Sequence, residues 1–259
     1  MILSPFFYLV IFLFGLAVGS FLNCIIYRLE KNESFLKGRS YCPHCQHQLS
    51  WQDLIPLFSF LILKGKCRYC KAKISWQYPL VEFFTGVLFV LVFCYSFPNL
   101  IVTIYWLIIT CFLIIVFVYD LKYYIIPDKV IFPAIFTVII WDILSINFFN
   151  LYTTKYELYS AFLAAVFFLL IFLFSRGKWL GFGDVKLALL MGLFLGFPNI
   201  LLALFSAFFL GAIIGIGLIL TGKKTMKSEV PFGPFLVTGT FIALFFSNQI
   251  INWYLNLFL

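Results

Sequence analysis

A succession of eight long apolar segments constrains this chain more than any other feature of its sequence. The segments cover about residues 4–26, 79–97, 100–119, 130–147, 157–174, 185–197, 200–220 and 235–256. About 20 apolar residues cross a bilayer as a helix, and helices satisfy their own backbone hydrogen bonds in lipid. The chain is 64% hydrophobic and 11% charged, whereas a soluble domain carries about 25% charged residues. We therefore predict an all-α polytopic membrane protein with about eight transmembrane helices. The sixth segment is short and only the stretch GFPN separates it from the seventh, which predicts a tight helical hairpin.

The distribution of the 18 lysine and arginine residues predicts the orientation of these helices. Cytoplasmic loops of membrane proteins carry an excess of basic residues. If both termini lie outside the cytoplasm, 17 of the 18 lie in or beside the loops at 27–78, 120–129, 175–184 and 221–234 on the cytoplasmic side, and only Lys155 does not. The net charge of +8 is then explained by membrane topology. We expect lipid around the helices and no nucleic-acid partner.

The loop between the first two segments contains a cysteine cluster with the spacing C-x2-C-x21-C-x2-C. Its members are Cys42, Cys45, Cys67 and Cys70. Two such pairs present four thiolates to a tetrahedral zinc ion. A pair of disulfides is the alternative, but thiols stay reduced in the cytoplasm. We predict a structural zinc site, because four cysteines leave no coordination position open, within a loop domain at 27–78 that follows a first helix at 1–26.

Two carboxylates lie at the ends of apolar segments that are predicted to end at the cytoplasmic side. Asp120 closes the run LIIVFVYD, and Asp184 opens the run that follows GFG. A carboxylate in a membrane is costly and marks function or pairing. Two carboxylates that approach each other cannot both ionise at low cost, which leaves one acid and one base. An aspartyl protease needs this arrangement, since the base activates water while the acid polarises the scissile carbonyl.

Structural alternatives exist for each of these acids. Asp184 and Asp128 could be helix N-caps, and Asp120 could pair with Lys122. A transporter that binds cations at membrane carboxylates is a further alternative, although transporter sites lie near the midplane rather than on one side. Gly181 and Gly183 permit positive φ and a close backbone approach, so an extended peptide could lie beside Asp184.

Several motifs, in order, resemble the type IV prepilin peptidase family, the GxGD-type aspartyl proteases of bacterial plasma membranes. They are GSFLNCIIYRL (19–29), CPHC, LSWQDLIPLFSFL (49–61), CRYC, ISWQYPLVEFFTG (74–86), YDLKYYIIPD (119–128), GFGDVKL (181–187) and PFGPFL (231–236). The resemblance covers nearly the whole chain. It implies a multi-pass plasma-membrane protein with its active site at the cytoplasmic face.

The resemblance also implies roles for individual residues of the peptidase region, residues 79–259. It makes Asp120 and Asp184 the catalytic pair, and gives supporting roles to Asp128, Lys186 and the two glycines before Asp184. Members of the family cleave the basic leader from prepilins and pseudopilins after a glycine.

Many members then methylate the new amino terminus with S-adenosylmethionine, an activity associated with the first cytoplasmic loop. Glu82 is a candidate for this methyltransferase region. The alternative is an acid at a helix start, stabilised by the helix dipole. A peptidase without methyltransferase activity fits the same motifs. The sequence does not identify which prepilin or pseudopilin is cleaved.

Overall fold

The computed structural model describes residues 5–34, 38–149, 154–222, 224–225 and 228–257. The described chain is helical: α1 Pro5–Lys31, α2 Phe58–Ile62, α3 Gln77–Ser96, α4 Leu100–Tyr123, α5 Asp128–Phe149, α6 Thr154–Ser175, α7 Phe182–Leu195, α8 Asn199–Leu220 and α9 Gly233–Asn256, with a 3₁₀ turn at Trp51–Leu54. Within these ranges no strand forms, and the all-α prediction is confirmed. Of the residues in the basic-charge count, Lys37, Lys223, Lys227 and the side chain of Lys155 lie outside the described part.

Each of the eight predicted apolar segments forms a helix, and six of the described helices are long and apolar enough to cross a membrane. These six are α1, α3, α4, α6 from Glu157, α8 and α9. By contrast, α7 has only 14 residues. A helix rises about 1.5 Å per residue, so α7 is shorter than a full span. The count of eight spans therefore stays a prediction.

Glycines allow the long helices to pack in close pairs. A Cβ on Gly15 of α1 would lie 2.7 Å from the Cα of Gly86 in α3. The same substitution at Gly192 would bring α7 into overlap with Ala161 of α6, and at Gly239 it would bring α9 into overlap with Ala203 of α8. Small residues at helix contacts are typical of membrane proteins, where lipid supplies no hydrophobic drive between helices and close packing holds them together.

The sixth and seventh segments, α7 and α8, are joined by a short connection as predicted, but they do not pack on each other as a hairpin. Only residues 196–198 join α7 to α8. However, α7 packs mainly along α6, while α8 packs mainly along α9. The close approach at Gly192 explains this choice of partner.

The chain divides into two compact units, residues 1–115 and 116–259, and the division falls within α4. The first unit holds α1 to α3, the cysteine cluster and Glu82. The second holds α5 to α9 and the end of α4 that carries Asp120. The cysteine cluster and the two candidate catalytic acids therefore belong to different units.

Candidate active site and metal centre

The four predicted cysteines come together in the first unit. Their Sγ atoms all lie within 4.8 Å of one another, and those of Cys42 and Cys70 are 3.9 Å apart. Four sulfurs that bind zinc at about 2.3 Å in a tetrahedron are spaced by about 3.8 Å, whereas a disulfide needs about 2.05 Å. All seven cysteines are free. The cluster therefore fits a metal ion such as zinc better than a pair of disulfides.

Two equivalent turns hold the cysteines in place. The Cys42 N–H donates to the carbonyl of His47, and the Cys67 N–H donates to the carbonyl of Ala72. In each turn the residue four positions after the first cysteine has a positive φ, Gln46 and Lys71 alike. Burial alone raises the pKa of the Cys42 thiol, but backbone hydrogen bonds from Cys45 and His44 outweigh it and lower that pKa to about 7. Thiolate is the form that binds metal.

Asp53 connects the two turns, although the sequence motifs assigned no role to it. Its carboxylate accepts hydrogen bonds from the Ser50 hydroxyl and N–H, from Arg68 Nε at 2.6 Å and from the Tyr69 hydroxyl at 3.0 Å. Its side chain is only 4% exposed. Burial alone raises the pKa of Asp53, but these hydrogen bonds, led by Arg68, outweigh burial and lower it. Arg68 and Tyr69 are the two middle residues of CRYC, so Asp53 ties the second cysteine pair to the chain that follows the first. We call residues 38–76 the cysteine module.

Glu82 is an internal anchor of the first unit. It is the sixth residue of α3, beyond the first turn, and is 8% exposed. Its Oε2 accepts the backbone N–H of Leu57 at 2.8 Å. The helix-start alternative therefore does not describe Glu82, because its carboxylate bonds the cysteine module rather than the start of its own helix.

Asp120 lies in the second unit near the end of α4 and is 5% exposed. Its Oδ2 accepts the backbone N–H of Gly233, the first residue of α9, at 3.0 Å. A Cβ at Gly233 would lie 2.6 Å from that same oxygen. Only glycine therefore allows the α9 amino terminus to approach the carboxylate this closely. The helix-end alternative, in which Asp120 pairs with Lys122, does not account for this contact.

Asp184 lies in the first turn of α7 and is 8% exposed. Its Oδ2 accepts the N–H of Gly181 at 3.0 Å. The capping alternative is thus partly realised, with Asp184 at the third helical position and Gly181 at the N-cap. Gly181 has a φ of −76°, which any residue can adopt.

The structure brings the two predicted catalytic residues into one site. The carboxylate of Asp120 is close enough to act electrostatically on that of Asp184. Both carboxylates are buried, and each accepts a backbone N–H at the start of a helix. The amino termini of α7 and α9 therefore frame the pair, which we call the aspartate site. Helix amino termini stabilise negative charge, and this offsets part of the cost of burying two acids.

Gly183 allows α7 to begin close to the chain that precedes α5. A Cβ at Gly183 would lie 2.9 Å from the Cβ of Ile126, which is buried. The close approach that glycine permits is thus made to Ile126 of the chain itself, and an approach to a peptide stays a prediction. Neither glycine of the motif adopts the positive φ that glycine permits, because Gly181 is extended and Gly183 lies within the helix.

Asp128 and Lys186 join the start of α5 to the first turns of α7. Lys186 Nζ donates to Asp128 Oδ1, and the ammonium lies over the rings of Phe132 and Phe182 at 5.0 and 5.2 Å. The Asp128 side chain is 60% exposed and that of Lys186 only 18%. This pair links α5 to the helix that carries Asp184, and a supporting role for the two residues stays a prediction.

Gly233 is a residue of the aspartate site that reasoning from single motifs missed. PFGPFL contributed to the resemblance, but no residue in it received a role. The signal was a glycine followed by proline just inside a helix start, a position where proline is favoured. What the sequence could not supply was the partner, since Asp120 is 113 residues away.

Comparison with known proteins shows which family the chain resembles over nearly its whole length. Residues 13–96 match the Bacterial Peptidase A24 N-terminal domain, and residues 107–216 match the Type IV leader peptidase family. A prepilin leader peptidase/N-methyltransferase of Aeromonas hydrophila is 32% identical, with 96% of this chain and 94% of that protein covered. Proteins of the same name are 33% identical in Legionella pneumophila, with 97% and 95% covered, and 30% identical in Bacillus subtilis strain 168, with 96% and 98% covered. No solved structure matches.

The chain belongs to the type IV leader peptidase family. The two matched regions separate the two candidate sites, since the first contains the four cysteines and Glu82 and the second contains Asp120 and Asp184. Gly233 lies beyond the second matched region. With six helices that can cross a membrane, this family member is a multi-pass inner-membrane peptidase.

Proposed function

We propose that this chain is an aspartyl endopeptidase that removes the basic leader of type IV prepilins or pseudopilins after a glycine. The observation that carries the proposal is the burial of Asp120 and Asp184 in one site of a type IV leader peptidase family member. Relatives aligned over almost the whole chain are named prepilin leader peptidase/N-methyltransferase.

Peptide hydrolysis by such a pair needs one proton shared between two acids. Two buried carboxylates that interact cannot both carry a charge at low cost, so one is protonated and the other is a base. The base takes a proton from water as the water attacks the scissile carbonyl, and the protonated partner donates to the carbonyl oxygen. The Gly181 and Gly233 N–H groups hold one oxygen of each acid, which orients the other oxygen of each.

The cytoplasmic face is the side on which we propose that cleavage occurs. The basic residues in or beside the 27–78, 120–129, 175–184 and 221–234 loops support an orientation with both termini outside the cytoplasm. Asp120 at the end of α4 and Asp184 at the start of α7 are then on the cytoplasmic side. A substrate with a basic leader inside and an apolar helix in the bilayer presents its junction at that depth.

Zinc is the metal that we propose for the four cysteines, where it would stabilise the fold of the cysteine module. Four thiolates fill a tetrahedral zinc and leave no position for a reactive water, so the ion takes no part in hydrolysis. Five basic residues between Lys64 and Lys73 offset the negative charge of a zinc–thiolate centre.

N-methylation with S-adenosylmethionine is the second activity that we propose, and it rests on the names of the relatives. Glu82 remains our candidate residue for that region. Its carboxylate is buried and already accepts the Leu57 N–H, so it does not fit an open contact to the methyl donor. A peptidase without methyltransferase activity is the alternative.

The test is co-expression of the chain with a prepilin, in which leader removal is followed by the shift in prepilin mass. We expect Asp120→Asn and Asp184→Asn each to abolish processing while the protein remains inserted and retains its metal. Asp142→Asn is the matched control, because Asp142 is a partly exposed carboxylate in the second half of α5, which begins at Asp128.

Normal processing by either site variant would remove that residue from the mechanism. The mass of the processed amino terminus decides the second activity in the same experiment. A gain of one methyl group supports methyltransferase activity, and an unmodified terminus supports a peptidase alone.

A further inference from the structure

The cysteine module carries a stripe of exposed apolar side chains on a segment outside the membrane spans. The stripe recurs with helical spacing, at positions i, i+3, i+4, i+7, i+10 and i+11. Its members are Trp51 (73% exposed), Leu54, Ile55, Phe58, Leu61 (68%) and Ile62 (75%). The segment is not one continuous helix, because Leu57 has a positive φ between the 3₁₀ turn and α2, and what the six side chains share is their exposure. A concentration of exposed apolar side chains on a polar module marks an interaction surface.

Two polar groups of the same segment, the Asp53 carboxylate and the Leu57 N–H, make hydrogen bonds inward. Asp53 bonds Ser50, Arg68 and Tyr69 inside the module, and the Leu57 N–H bonds Glu82. The stripe is therefore held in place by buried polar contacts on its reverse side. Rotation of the segment to bury the stripe against the module would break those contacts.

The hydrogen bond between the Leu57 N–H and Glu82 sets the depth of the stripe relative to the membrane. Glu82 is the sixth residue of α3, so it lies about 8 Å along that helix from its start. Because α3 is long and apolar enough to span the membrane, its second turn lies at or below the bilayer boundary. The stripe is bonded to that turn through Leu57, in the middle of the stripe, and is thus level with the lipid.

Aromatic and basic residues around the stripe match a headgroup region. Trp76, immediately before α3, is 69% exposed and packs on Phe60 at a ring distance of 5.1 Å. Tryptophan is enriched at membrane interfaces. Residues 49–76 contain five basic side chains and one acidic one, and Lys64, Lys66, Lys71 and Lys73 are all exposed. Such clusters attract anionic lipid.

We infer that residues 51–62 form an interfacial anchor that seats the cysteine module in the leaflet from which α3 enters the membrane. The apolar stripe enters the upper acyl region and the lysines contact anionic headgroups, as in amphipathic segments that lie in the plane of a membrane. The bilayer is the partner that fits this surface, because the segment is hydrogen-bonded through Leu57 to Glu82 of α3, a helix that can span the membrane. The anchor is separate from the peptidase chemistry, so failure of one proposal would not affect the other.

The test measures the environment of Trp51 in the full-length protein reconstituted into nanodiscs of phosphatidylcholine and phosphatidylglycerol. Acyl chains brominated near the headgroup quench tryptophan in the bilayer, and acrylamide quenches tryptophan in water. The Trp51 signal is the difference between the wild type and Trp51→Phe. The matched control is the double variant Trp51→Phe with Gln52→Trp, which moves the indole to the exposed neighbouring position outside the stripe.

We expect brominated lipid to remove the Trp51 emission and acrylamide to leave it, with the opposite result for tryptophan at position 52. Quenching of Trp51 by acrylamide alone would overturn the anchor, since the stripe would then face water. Protection of Trp51 from both quenchers would also overturn it, since protein would then cover the stripe.

A second measurement tests the charge component. Lys64→Gln with Lys73→Gln should weaken the brominated-lipid quenching of Trp51 in discs that contain phosphatidylglycerol and leave it unchanged in discs of phosphatidylcholine alone. Zinc content confirms that the module is folded in each variant. An equal loss of quenching in both lipids would overturn the assignment of the lysines to anionic headgroups.

Discussion

The cysteine module and the aspartate site are held by hydrogen bonds of similar length over very different stretches of chain. In the module, the turns close between residues five positions apart, as between Cys42 and His47. At the aspartate site, Asp120 accepts a bond from Gly233, 113 residues away, and Lys186 reaches Asp128 over 58 residues. The module therefore carries its geometry within a short peptide, whereas the aspartate site exists only when several helices pack correctly.

Removal of one sulfur ligand is the change with the largest expected effect. Cys67→Ser leaves three thiolates, and we expect metal content to fall from about one zinc per chain to a small fraction of that value. Because helices satisfy their own backbone groups in lipid, the far-ultraviolet circular dichroism should stay close to wild type. Elemental analysis of purified protein provides the measurement.

The control is Cys94→Ser, which changes an exposed cysteine of α3 and should keep its metal. A large loss of helicity in Cys67→Ser would contradict the view that the module is held locally.

A methyl group on Gly233 tests the long-range contact directly. The added Cβ would lie 2.6 Å from Asp120 Oδ2, so the carboxylate or the start of α9 must move. Displacement of a catalytic group by about 1 Å can cost about a hundredfold in rate. We expect Gly233→Ala to lower prepilin processing on that scale and to leave metal content unchanged.

Gly217→Ala is the matched control, because a Cβ there meets nothing within 4 Å. Equal activity of the two variants would mean that the Gly233 contact does not position Asp120.

The two glycines before Asp184 should respond differently to the same substitution. Gly183→Ala places a Cβ 2.9 Å from that of Ile126, and overpacking of this kind costs about 1–3 kcal/mol. A Cβ added at Gly181 would lie 3.6 Å from Asp184 Oδ2, which is an ordinary contact distance. The φ of Gly181 is −76°, so alanine fits at this position. Thermal unfolding in detergent should therefore show a lower midpoint for Gly183→Ala, with Gly181→Ala close to wild type. A lower midpoint for Gly181→Ala than for Gly183→Ala would contradict this interpretation, and would indicate that the motif needs a flexible backbone at Gly181.

The smallest effect is expected at Asp53. Asp53→Asn weakens the link between the two cysteine pairs without removing a ligand, and a charged hydrogen bond contributes about 1.5–3 kcal/mol. We expect faster zinc release to a chelator from the variant, with the wild-type and variant proteins equally loaded at the start. The pKa of Asp53 is lowered in the folded protein. The stabilisation by its carboxylate is therefore fully present above the unfolded pKa of about 3.9, and it is lost only as the pH falls through the folded pKa. The ratio of the two release rates should therefore be constant between about pH 6 and 8, although both rates change as the thiolates titrate. A ratio that changes across that range would exclude the Asp53 carboxylate as its source.

The sequence predicted those features whose physics is local or additive. Apolar length identified the helices, and cysteine spacing identified the four residues that cluster, because both are properties of short stretches. The family resemblance was needed to pair Asp120 with Asp184, since spacing along the chain does not show which helix ends meet. Gly233, the Asp53 network and the contact of Glu82 with Leu57 were not predicted, because each depends on a partner that only packing brings close. The predicted packing of α7 on α8 failed for the same reason, because the contact of α7 with α6 depends on residues far apart in the chain.

The shortness of α7 has a consequence for the surrounding lipid. Fourteen residues span about 21 Å, whereas the hydrocarbon core is about 30 Å thick. Since α7 lies along α6, which is long enough to cross, a shortfall of about 9 Å remains beside one of its ends. Bilayers meet such hydrophobic mismatch by thinning or by admitting polar groups below the headgroups. A thinned annulus beside the helix that carries Asp184 would let water reach a peptide bond at a depth where unperturbed lipid would exclude it.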